Sequence, residues 1–126
     1  MISKPSATDR TWSVYIILCR NGSYYTGIAL DVTERIRKHR LGTSGSRYTR
    51  SFRPRKLLAS WTLNGGRSEA QKVEHYIKRR GRAFKEEIIM NPGKLATVAS
   101  RDLGVRLRRS RGGPLDIDRQ GQPSFR

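Results

Sequence analysis

The chain has 126 residues and a formal net charge of +17, with 27 Lys and Arg set against 10 Asp and Glu. A domain of this length buries enough apolar surface to fold alone, and one cysteine with two histidines (Cys19, His39, His75) makes neither an internal disulfide nor a four-ligand zinc site. The charge points to a polyanionic partner, nucleic acid first, because no apolar run approaches the roughly 18 residues of a membrane span.

Residues 1–11 are polar, without the apolar core of a secretory signal, so a flexible N-terminus and a cytoplasmic location are expected. WSVYIILC at 12–19 reads as a strand, and YYTGIA at 24–29 as its hairpin partner. Asp31 with Glu34 resembles a capping box opening a helix to about Leu41. GTSGSRYTRSFRP at 42–54 has the composition of a loop, and RKLLASWTL at 55–63 that of a third strand. After the Asn64-Gly65-Gly66 turn, Ser68 opens a helix to Arg80, and RAFKEEIIM continues beyond Gly81 until Asn91-Pro92-Gly93. The order predicts an α/β (α+β) domain over 12–91, with a small three-stranded, mainly antiparallel sheet flanked by helices. Residues 92–126 read as a basic C-terminal extension, partly disordered, with a short helix within 94–109.

Hairpin geometry tests the tyrosines. A two-residue Asn21-Gly22 turn would put Tyr15 and Tyr25 on opposite faces, whereas a three-residue Arg20-Asn21-Gly22 loop with a left-handed Gly22 puts both phenols on one face. That register sets Tyr15 opposite Gly27 and leaves Trp12, Val14, Ile16, Leu18, Tyr24 and Ile28 as a core surface. Gly27 is then either a place where a ligand approaches the backbone or simply a weak point in a tyrosine-rich strand.

On the first helix Asp31, Arg35 and His39 recur every fourth residue and share a face. On the later helix Glu74 falls inside the apolar stripe of Ala70, Val73 and Ile77, so it must meet a cation, a metal ion or a cleft. Glu69 compensates the helix dipole, and His75 and Lys78 face solvent. Between Arg35 and Lys56 nine Lys and Arg occur with no acid. Arg37, Lys38, Arg40, Arg47, Arg50 and Arg53 suit a phosphate-tracking groove, with Tyr48, Phe52 and Trp61 to stack on bases of single-stranded or distorted substrate.

Together, Ser-Val-Tyr at 13–15, Tyr-Thr-Gly at 25–27, an arginine eight residues after that glycine and a glutamate on a later helix resemble the GIY-YIG endonuclease superfamily. The similarity is strongest to its small single-domain bacterial members, and it spans about residues 12–90. It implies that Tyr15 is the catalytic tyrosine, as general base or as nucleophile. It further implies Tyr25 as the second motif tyrosine, Gly27 as the close-approach glycine, Arg35 as the phosphate clamp, His39 as the helix histidine and Glu74 as the carboxylate for Mg²⁺ or Mn²⁺. The expectation is a metal-dependent DNA endonuclease, monomeric, acting on single- or double-stranded DNA. The alternative is a non-catalytic protein that binds DNA or RNA and keeps the fold.

Overall fold

The computed structural model describes residues 11–41, 53–110, 115–117 and 123–124, except for the side chains of 39–41, 115 and 123–124. Its elements are β1 (Ser13–Cys19), β2 (Tyr24–Ala29), α1 (Val32–Leu41), β3 (Pro54–Asn64), α2 (Arg67–Met90), α3 (Pro92–Leu103), β4 (Arg106–Arg109), β5 (Leu115–Ile117) and β6 (Pro123–Ser124).

The β1–β2 hairpin takes the three-residue loop. Gly22 has φ +86°, a left-handed conformation that L side chains rarely adopt. The Cys19 N–H donates to the Ser23 carbonyl at 2.8 Å, and the pairs that follow run from Leu18 with Tyr24 to Ser13 with Ala29. Tyr15 lies opposite Gly27 and Ile17 opposite Tyr25. The second half of α2 holds this hairpin in place. Arg82 Nη1 donates to the Gly22 carbonyl at 3.0 Å, and the same guanidinium sits 4.1 Å from the centroid of the Tyr24 ring.

All strand pairings are antiparallel, in the order β2-β1-β3-β5-β6, with β4 also on β3. The α+β class holds, but the sheet is larger than the expected three strands. The eleven-residue β3 lines β1 along one edge, while its other edge carries β4 beside Trp61–Asn64 and β5 beside Lys56 and Leu57.

Helices cover both faces. Val14, Ile16, Trp61 and Leu63 pack against Ala70, Val73, Ile77, Phe84 and Ile88 of α2 and Leu95 and Val98 of α3. On the other face Tyr15, Ile17, Cys19 and Ala29 enclose Ile36 of α1, with Ile117 of β5. Residues 92–109 therefore join the folded domain: Leu95, Val98, Ala99 and Val105 are buried, and β4 extends the sheet while its arginines stay exposed. Apolar spacing in the α3 segment PGKLATVASRDL gives that helix a buried stripe, and left-handed Gly104, with φ +67°, ends it.

Two helix starts compare with the sequence. Asp31 caps α1 as expected, its Oδ1 accepting the Glu34 N–H at 3.0 Å. Gly66 rather than Ser68 caps α2, and Glu69 Oε1 accepts the Gly66 N–H at 2.8 Å. Gly81, with φ +82°, interrupts α2 at the predicted break without ending it.

Candidate active site

The hairpin register brings two phenols onto the α1 face of the sheet, with ring centroids 6.4 Å apart and planes tilted by 44°. Tyr15 is completely buried. The position over Gly27 is filled from within the chain: a Cβ there would stand 2.5 Å from the Tyr15 hydroxyl and 3.0 Å from Tyr25 Cε1. The close approach to Gly27 is made by Tyr15 itself.

Arg35, in the first turns of α1, hydrogen-bonds the Tyr15 phenol. Burial pushes that phenol well above its ordinary value near 10, and Tyr25 and the Glu74 carboxylate push the same way; the Arg35 guanidinium opposes them. Glu74 comes from α2, in the opposite helical layer, and its carboxylate is the weakest of these influences on the Tyr15 phenol. Tyr15, Tyr25 and Arg35 thus gather on one face of the sheet, from three elements.

The Glu74 side chain is only 16% exposed, as its place in the apolar stripe requires, and Lys78 Nζ lies 3.3 Å from its Oε2. The same ammonium is 6.0 Å from the Tyr25 ring centroid. Lys78 is exposed, as expected, but its ammonium also pairs with Glu74. Its position four residues after Glu74 is the signal that could have found it. Among the described residues no three His, Cys, Asp or Glu side chains gather. A divalent ion would rest on Glu74 with water and substrate oxygens, a donor set that suits Mg²⁺.

Of the six cations read as a groove, three (Arg37, Lys38 and Arg53) have described side chains. Arg37 turns to Glu34 one turn earlier, with Nη2 2.6 Å and Nε 3.1 Å from its carboxylate oxygens. Lys38 lines a cleft of about 450 Å³ together with Arg35. Arg53 is half-buried, and its carbonyl accepts the Arg20 N–H at 2.9 Å. The side chains of His39 and Arg40, and all of Arg47, Tyr48, Arg50 and Phe52, lie outside the described residues. Trp61 is corrected: it is fully buried, its indole N–H donates to the Pro92 carbonyl at 3.0 Å, and no base can stack on it. No described helix is long and apolar enough to cross a membrane.

Residues 11–87 match the GIY-YIG catalytic domain. The chain is 39% identical over 88 residues to the UPF0213 protein DP2720 of Desulfotalea psychrophila, covering 70% of this chain and 79% of that one. It is 40% identical over 80 residues to the UPF0213 protein BH0048 of Halalkalibacterium halodurans, covering 64% and 83%. The solution NMR structure of the UPF0213 protein BH0048 from Bacillus halodurans aligns with 36% identity over 71% of this chain and 97% of that one, at a TM-score of 0.39. The matched span runs from the start of the hairpin through most of α2 and contains every residue of the tyrosine, arginine and glutamate cluster, and on that match the chain belongs to the GIY-YIG family.

Proposed function

We propose that this protein is a metal-dependent endonuclease that hydrolyses phosphodiester bonds in DNA. The reading is supported by the gathering of Tyr15, Tyr25 and Arg35 on one face of the sheet, with Arg35 hydrogen-bonded to the Tyr15 phenol and the Glu74–Lys78 pair beside the Tyr25 ring. Family membership supports a nuclease-type domain; the cluster supports the chemistry.

Cleavage needs a proton taken from attacking water and donors for the charge that builds on the phosphoryl oxygens. Arg35 presents a planar fork of N–H groups to those oxygens. Tyr15 takes the water proton once bound substrate admits water to its buried hydroxyl, and Arg35 is the cation beside it that favours the phenolate against burial. Tyr25, tilted against Tyr15, fixes the orientation of that ring. Glu74 would hold Mg²⁺ or Mn²⁺, which when bound supplies positive charge to the phosphoryl and leaving oxygens.

The test is incubation of the purified protein with supercoiled plasmid and with single-stranded DNA, in Mg²⁺, in Mn²⁺ and in EDTA. Metal-dependent strand breaks are expected. Binding without breaks in either metal would contradict the proposal and leave a non-catalytic nucleic-acid-binding domain.

A further inference from the structure

The cleft beside the site asks what occupies it. It holds about 450 Å³ between the end of β2, the start of α1 and the start of α2, within the range of small-ligand sites. Trp12, Ile28 and Leu30 give it an apolar side, and Arg35, Lys38 and Arg67 a cationic one. Both acids in the lining are already engaged: Asp31 caps α1, and Glu34 is ion-paired with Arg37. Trp12 is only partly buried, unlike Trp61, and the Arg67 guanidinium lies 6.0 Å from its ring centroid, at the outer limit of a cation–π contact. Arg35 lines this cleft and also touches the Tyr15 phenol, so the two spaces share a wall.

An aromatic face with apolar flanks and three cations is the chemistry that receives an unstacked base and its phosphate. We propose that this cleft holds one nucleotide neighbouring the reacting phosphodiester, its base stacked on Trp12, so that the preferred substrate is nucleic acid with an unpaired nucleotide at the cleavage point. The proposal rests on the nuclease reading for its substrate, and names the part of it the site selects. Trp12 takes the stacking role that the sequence had assigned to Trp61.

The experiment uses the full chain in EDTA, so that binding is read without cleavage. Tryptophan emission and oligonucleotide anisotropy are followed during titration with a single-stranded DNA oligomer, with a blunt duplex of the same length and with thymidine 5′-monophosphate. Expected are saturable quenching by the single strand, little by the duplex, and much weaker binding of the mononucleotide. Trp12→Leu should abolish the quenching and lower the ratio of single-strand to duplex affinity by ~10-fold, in the range set by losing one base–aromatic stack. Arg67→Ala, at an exposed position, should lower the same ratio by a smaller factor, which keeps the test open if Trp12→Leu folds poorly. An unchanged ratio in both variants, or a mononucleotide that binds as tightly as the oligomer, overturns the proposal. The two readings fail separately. Absence of cleavage in Mg²⁺ with quenching intact would sink the nuclease alone, and cleavage with no quenching would sink the nucleotide cleft alone.

Discussion

Gly27 carries more of the site than any other small residue. A methyl group there would stand 2.7 Å from Tyr15 Cζ, and the buried ring has no slack to yield. Gly27→Ala should therefore destabilise the fold by about 1–3 kcal/mol, read from denaturant unfolding, and reduce cleavage with it. On the proposed chemistry the phenol sets the pH dependence. Below a raised pKa the protonated form dominates, so the phenolate fraction climbs roughly tenfold per pH unit, and cleavage should rise with pH across the neutral and mildly alkaline range. A rate that falls over that range would exclude Tyr15 as the base. Lys78 offers a gentler test. Its half-exposed ammonium shares Glu74 with any incoming cation, and such a pair is worth less than ~1 kcal/mol. Lys78→Met should then lower the Mg²⁺ concentration for half-maximal cleavage by up to ~5-fold. Glu74 stood out in the sequence because a carboxylate interrupted an apolar stripe, whereas Lys78 looked like any other surface lysine until its contact was seen.

Elements differ in how far they could be read. The hairpin was legible because turn length, Gly22 and strand alternation together admit one register that puts both tyrosines on one face. The faces of β3 were not. Between Ile16 and Ile17 its register against β1 slips by a residue, so Leu57 packs on the α1 side while Trp61, four residues on, packs on the α2 side. Simple alternation would have given them one face, and the bulge is invisible without the partner strand. The same gap hid the packing of α3, though a short helix was expected there. Its sequence has few large apolar residues, but Leu95 and Val98 complete a core begun by α2, and the Pro92 carbonyl satisfies the buried Trp61 indole. Leu95→Ala should cost about 2–5 kcal/mol by thermal or denaturant unfolding. A chain ended at Asn91 should lose its cooperative transition, and a sharp, unshifted melt would show that the core closes without α3.

The molecule as a whole sets the residues proposed for catalysis around one end of the hairpin sheet. Tyr15 and Tyr25 come from the hairpin, Arg35 from the layer on one face and Glu74 with Lys78 from the layer on the other, so the fold must close on both sides of β2 before the cluster exists. The family motifs made that convergence predictable; the extent of the sheet beyond β3 was not, because β4 and β5 are short and arginine-rich or isolated, and pairing with β3 rather than composition makes them strands. The surplus of positive charge belongs to the same whole. Six to ten phosphate contacts would weaken DNA binding by roughly 10³–10⁵ between 50 and 200 mM salt, and a flat salt response would detach the charge from nucleic acid. Whether the cluster at β2 cuts DNA comes down to one oxygen atom, removed by Tyr15→Phe. Cleavage and equilibrium binding of the same DNA by this variant should separate, with binding retained and the Mg²⁺-dependent rate lowered by at least ~100-fold. Cleavage by Tyr15→Phe at the rate of the unmodified chain would show that the chemistry lies elsewhere.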